Sequence, residues 1–185
     1  MTSPDSVQGD DHLRLFLALR LPEATLDVVE RWQEEHVLGG RRVPREHLHV
    51  TLAFLGSRPA RELPSIVGAL RDAVRGVRRI AFAPASWRET RSVGMVVLRD
   101  ADGVADELAR RLHARLEELG VYRPEPRPWL AHLTVVRFRE RPRLDPPLPE
   151  TGTFVPSGAA AYLSRLHPAG ARYEVLERVS LNEGG

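Results

Sequence analysis

Two short runs carry residues that could do chemistry: His49-Val50-Thr51, inside HLHVTLAFLG, and His132-Leu133-Thr134, inside AHLTVVRF. Each reads His-x-Thr followed by apolar residues. Side chains alternate along a strand, so His49 shares a face with Thr51 and His132 with Thr134, while Leu48, Val50, Leu52, Leu133 and Val135 point the other way, into a core. Two imidazoles converging on one concave surface suit phosphodiester chemistry. One takes a proton from an attacking water while the other, protonated, delivers a proton to the leaving oxygen; both tasks fit a group that titrates near neutrality. Threonine hydroxyls can donate to the non-bridging phosphoryl oxygens without adding charge. Arg137, just past the second run, could match the negative charge that develops. This scheme requires no metal and no cofactor.

A single His-x-Thr is a common accident, and the specificity lies in finding two on equivalent strands. Of the other histidines, His12 falls in the N-terminal tail, His36 and His113 on helices, and His167 before a proline turn; none is assigned a catalytic role. His47 shares the face of His49 and stands either beside the site or at a solvated strand start. Two histidines with no carboxylate in either run make a poor metal site.

Composition narrows the field further. At 185 residues, 42% hydrophobic and 28% charged, the chain has the balance of a soluble globular protein. It has no cysteine, which removes disulfides and thiolate chemistry. All 27 of its Lys+Arg residues are arginine, so no lysine exists for a Schiff base, a P-loop or an adenylated-lysine ligase. A formal charge of +2 is not that of a polybasic nucleic-acid binder. The arginines are nonetheless bunched, with Arg41, Arg42 and Arg45 before the first run and Arg137, Arg139, Arg141 and Arg143 after the second. No apolar run reaches membrane-spanning length, and the start, MTSPDSVQGDDH, is polar and acidic. The expectation is a cytoplasmic monomer with no membrane partner, a flexible tail over residues 1–12 and a single bilobal domain over 13–185.

The elements that must position the two runs can be read from periodicity. Alternation predicts a strand over Leu13–Leu19, ended by Pro22. Helical spacing predicts Glu23–His36, Pro59–Val77 and Asp102–Leu119. Strands are expected at HVTLAFLG, RRIAFAPASWR, SVGMVVLRD, WLAHLTVVRF, GAAAYLSRLHP and ARYEVLERVSL, the last two joined at Pro168-Ala169-Gly170. The proline-rich stretches YRPEPRP and RPRLDPPLPETG should lie on the surface. Strands and helices thus alternate in two comparable halves without a glycine-rich phosphate loop.

With these runs in place, the sequence resembles the 2H phosphoesterases, specifically the bacterial RNA 2′,3′-cyclic phosphodiesterase branch, also called the 2′-5′ RNA ligase family. LRLFLALRLPE is similar to the family's opening strand, VPREHLHVTLAFLG and AHLTVVR to its two motifs, and ARYEVLERVSL to its closing strand. The resemblance implies an α+β fold of two pseudo-symmetric lobes, each an antiparallel sheet with helices outside, around a central cleft. It implies His49 as the proton donor to the leaving 3′ oxygen, His132 as the acceptor that activates water, Thr51 and Thr134 on the phosphate beside Arg137, and Phe54 stacked on a nucleobase. RNA ends or cyclic nucleotides are the implied substrates. Rival readings are 2′-5′ ligation by the reverse reaction and a non-catalytic RNA- or nucleotide-binding module. Two departures stand out: Arg42 where the family commonly has tryptophan, and Leu130-Ala131 where it commonly has arginine-proline. Strict alternation puts Phe54 and Arg137, each five residues after its histidine, on the face opposite the histidines, so both strands must twist or end there.

Overall fold

The computed structural model describes residues 11–181. Its strands are β1 (His12–Arg20), β2 (Arg41–Arg42), β3 (His49–Pro59), β4 (Phe82–Glu89), β5 (Val93–Asp100), β6 (His132–Arg137), β7 (Gly158–Arg165) and β8 (Arg172–Val179). Its helices are α1 (Glu23–His36), α2 (Leu63–Val74) and α3 (Val104–Glu118). The expected tail lies outside the described residues up to position 10, and its last residue, His12, already belongs to β1 opposite Pro59. The helix expected from Pro59 begins later because β3 runs on to that proline, which an edge strand tolerates.

The fold is α+β, with two antiparallel four-stranded sheets ordered β3-β1-β7-β8 and β2-β6-β5-β4. The alternation of LRLFLALR explains the centre of the first sheet. Leu15, Leu17 and Leu19 are wholly buried against the helices, each worth about 1.5–3 kcal/mol of burial, while Phe16 and Ala18 face the other way into a smaller cluster with Ala160 and Tyr162. Helix α3 buries Leu108, Leu112 and Leu116 along one stripe, and its first turn is capped by the Asp100 carboxylate, which accepts from the backbone N–H groups of Ala105 and Asp106.

The lobes are not the two successive halves that the element order implies. The C-terminal strands β7 and β8 complete the sheet begun by β1 and β3, and β2 from the first half edges the other sheet. The helices cross over as well. Helix α1 follows a strand of the first sheet, yet its buried Gln33 donates to the carbonyls of Val43 (3.0 Å) and Val135 (2.8 Å) at the second. Helix α3 follows a strand of the second, yet the His113 Nε2–H donates to the Leu52 carbonyl of the first at 2.7 Å.

Leu52 and Val135 have a common position. Leu17 faces Ala53 and Ala18 faces Thr51, so Leu52 is an extra residue in β3; Gly94 faces Val136 and Met95 faces Thr134, so Val135 is an extra residue in β6. Both are β-bulges, and each reverses the alternation downstream of its His-x-Thr. Leu52 and Ala53 are both buried, as are Val135 and Val136, and the next residues, Phe54 and Arg137, emerge on the histidine side. The bulges therefore resolve the conflict between strict alternation and the placement of Phe54 and Arg137. Gly94, opposite the second bulge, leaves the room it needs: a Cβ there would lie 2.6 Å from the Val136 side chain and 2.5 Å from the Trp87 ring.

Each bulge carbonyl is thus claimed by a helix side chain. Replacing His113 with Leu should lower stability by about 1–3 kcal/mol, the scale of leaving a buried carbonyl without its partner, measured as a drop in the denaturation midpoint. Gln33→Leu should cost less, because the Val135 carbonyl still accepts from the Val43 N–H at 2.9 Å. Turnover by the folded variants should fall too, because Phe54 or Arg137 loses its fixed place. An unchanged midpoint in both would mean that the bulges stand without their helix contacts.

Candidate active site

Strands β3 and β6 lie against each other at the junction of the two sheets, and a cavity of about 930 Å³ opens in front of them. All six residues expected at the site line it: His49, Thr51 and Phe54 from β3, and His132, Thr134 and Arg137 from β6. The two strands are held in mutual register by Trp129, three residues before His132, whose indole N–H donates to the Thr51 carbonyl at 2.9 Å.

The imidazoles are oriented alike. His49 Nδ1 lies 2.7 Å from the His47 carbonyl and His132 Nδ1 lies 2.8 Å from the Leu130 carbonyl. A carbonyl only accepts, so both rings carry a proton on Nδ1 and keep Nε2 for chemistry. Of the two departures from the family pattern, Leu130 therefore supplies this bond from its backbone, which any side chain permits, and Arg42 lines the cleft. His49 Nε2 lies 3.0 Å from Thr51 Oγ1 and, when neutral, accepts from that hydroxyl.

Their surroundings differ. His49 is packed against Phe16, Tyr162 and Tyr173, with ring centroids 4.9, 6.0 and 5.7 Å away. Burial pushes its pKa down to about 4, the hydrogen bond to His47 opposing the shift and the positive potential of His132, His47 and Arg137 adding to it. His47 stacks on Tyr173 at 4.3 Å and is likewise lowered, chiefly by burial, with Glu46 opposing. His47 thus belongs to the wall of the site and presents its carbonyl to His49. The remaining four have no place in the cavity lining: His12 begins β1, His113 holds the β3 bulge, His36 ends α1, and His167 accepts from the Ala169 N–H in the β7–β8 turn.

Sequence reasoning passed over the aromatic floor of Phe16, Tyr162 and Tyr173, and Arg14 above Phe54. The trace in the sequence was the second face of β1, Arg14-Phe16-Ala18-Arg20, which is neither apolar like a core nor uniformly polar like a solvated face. The two arginine bunches also divide. Arg41, Arg42 and Arg137 line the cleft, whereas Arg45 is turned to Glu23, Asp27 and Glu30 around α1 and Arg141 to Glu89. Arg41 also closes one end of the cavity, donating to the Ala169 carbonyl of the β7–β8 turn at 2.7 Å. Among the described lining residues Glu46 is the one carboxylate, so the cleft is strongly positive. Among the described residues no group of three or more His, Cys, Asp or Glu is placed to hold a metal ion, and no helix is long and apolar enough to cross a membrane.

Comparison with known proteins agrees with this arrangement. Residues 19–86 match the family model described as LigT like Phosphoesterase. An RNA 2′,3′-cyclic phosphodiesterase of Thermus thermophilus is 32% identical over 187 residues, covering 91% of this chain and 90% of that protein. A crystal structure of a Thermus thermophilus protein superposes with a TM-score of 0.74 at 31% identity, covering 94% of this chain and all of the other. Escherichia coli LigT complexed with NADP+ superposes with a TM-score of 0.77 at 25% identity and the same coverage. A full-length relative at this identity, on a fold with both His-x-Thr strands facing one cleft, places the chain in the LigT-like phosphoesterase family.

Proposed function

We propose that the protein hydrolyses the 2′,3′-cyclic phosphate of an RNA end or nucleotide to a 2′-phosphate, with residues 13–185 acting as one bilobal unit. The observation that carries this reading is the pair of imidazoles, each locked by an Nδ1–H bond to a backbone carbonyl two residues earlier, with a threonine hydroxyl beside each on one positive cleft. Three curated relatives, from Escherichia coli, Thermus thermophilus and Methanocaldococcus jannaschii, bear the name of that activity.

In this mechanism His132 Nε2 takes a proton from water as its oxygen attacks phosphorus. The P–O3′ bond breaks on the opposite side, and His49, protonated on Nε2, delivers its proton to the 3′ oxygen. Thr51, Thr134 and Arg137 hold the non-bridging oxygens as charge develops on them. The bulges bring Arg137 to the phosphate and Phe54 to the base.

A proton donor with its pKa at about 4 in the empty cleft is a strong acid that is sparsely charged at neutral pH. The substrate supplies what is missing: an anionic phosphodiester beside the ring favours the imidazolium and raises its pKa. Binding of an anion should therefore take up a proton. Sulfate serves as a probe, since its own charge is constant in this range. Its affinity should rise as pH falls from 8 toward the empty-site value near 4, and His49→Gln should remove the part of that rise below pH 6. A pH-independent affinity would mean that His49 does not meet the anion.

Incubation of the protein with adenosine 2′,3′-cyclic phosphate in excess EDTA should yield the 2′-phosphate, because the side chains already provide acid, base and anion binding. His49→Ala and His132→Ala should each slow turnover by roughly 10²–10⁴-fold, and the double variant by less than the product of the two. A 3′-phosphate product, or near-normal turnover in either single variant, would overturn the assignment.

A further inference from the structure

Arg14 projects from β1 on the cleft side, and its guanidinium lies 4.8 Å from the centroid of the Phe54 ring. Arginines outside the cleft are commonly paired, as Arg58 is with Glu62 and Arg141 with Glu89. Arg14 forms no ion pair with a described residue. Stacking uses the flat face of a guanidinium and leaves its in-plane N–H donors directed outward, the geometry that takes up a phosphate through two parallel bonds.

A second group stands beside it. Strands β1 and β7 pair with Leu15 opposite Leu163, so one position further Arg14 comes level with Ser164, which in turn faces Tyr173 on β8. Ser164 is 7% exposed and lines the same cavity. Its hydroxyl is able to donate to an oxygen of a group that enters the cavity. Arg14 also lies two residues along β1 from Phe16, the ring on which His49 packs, a separation of about 7 Å. That is on the scale of one nucleotide of backbone.

We propose that Arg14 and Ser164 form a second phosphate subsite, which takes the phosphate 5′ to the nucleoside whose 2′,3′-cyclic phosphate is cleaved. This rests on the function proposed above and narrows its substrate: the site is built for a nucleotide with a 5′ neighbour, an RNA end in preference to a cyclic nucleoside phosphate alone. Phe54 then stands between the two phosphates, with the Arg14 guanidinium over its ring.

The test compares adenosine 2′,3′-cyclic phosphate with the same compound carrying a 5′-phosphate, in the wild type and in Arg14→Gln and Ser164→Ala. The wild type should prefer the 5′-phosphorylated substrate by about 10- to 100-fold in kcat/KM, the scale of a charge-assisted pair. Arg14→Gln should bring that ratio to within a few-fold of one, and Ser164→Ala should reduce it in part. A wild-type ratio near one, a ratio that survives Arg14→Gln, or an Arg14→Gln loss equal on both substrates would each overturn the subsite, the last leaving Arg14 only as a support for Phe54. Arg14 is exposed on its strand, so the variant should fold. Binding of adenosine 2′-phosphate against adenosine 2′,5′-bisphosphate separates the two proposals. An Arg14-dependent preference for the bisphosphate without turnover of either cyclic substrate would sustain the subsite and sink the hydrolase reading, while turnover without any 5′-phosphate preference would do the reverse.

Discussion

The site depends on two extra residues. Leu52 and Val135 each interrupt the alternation of a strand that would otherwise send its fifth residue after the histidine into the core. A bulge costs local pairing and has to be stabilised from outside the ladder. Gln33 and His113 do this from helices that cross to the opposite sheet, so the same two contacts that set the cleft-lining side chains also tie the lobes together. Trp129 adds the third tie, fixing the height of one His-x-Thr against the other through the Thr51 carbonyl. Catalytic geometry and lobe assembly are therefore one problem in this fold.

Much of this was legible in the chain. The histidines and threonines announced themselves by spacing, and the amphipathic periods placed α1 at its observed bounds and α3 within two residues of them. What could not be read depends on partners far apart in sequence. Gln33 and His113 look like ordinary polar residues on helices until the strand carbonyls they serve are known. The interleaving of the lobes follows from β7 joining β1, a pairing that no local pattern encodes. The bulges left only a faint trace, the consecutive apolar pairs Leu52-Ala53 and Val135-Val136, and a two-residue apolar run occurs in many regular strands.

The pseudo-symmetry of the backbone does not extend to the environment of the two imidazoles. His132 has its own carbonyl partner but no aromatic packing among the described ring contacts, whereas His49 sits against the floor made by Phe16, Tyr162 and Tyr173. Equivalent backbone positions thus give one ring whose charged form is disfavoured by burial and another without that aromatic packing. A proton donor at His49, as proposed, would need the opposite of what burial alone favours, so its charged form has to come from an anion bound beside the ring rather than from the empty cleft.

The exclusive use of arginine bears on the same economy of charge. Five guanidinium groups, Arg14, Arg41, Arg42, Arg137 and Arg172, line a cavity with one carboxylate, a concentration of like charge that costs stability in the empty state. Guanidinium tolerates this better than ammonium does, being more weakly hydrated and able to lie flat on a ring or to satisfy a carbonyl. Arg14 lies over the Phe54 ring, and Arg41 satisfies the Ala169 carbonyl. Such groups are held in place before any anion arrives, so the ordering cost that a flexible lysine would incur on binding is met during folding. Burial disfavours charge on His49 in the empty cleft and the positive potential adds to that, while the same potential favours an anion beside the ring, so that taking up an anion and protonating His49 are coupled.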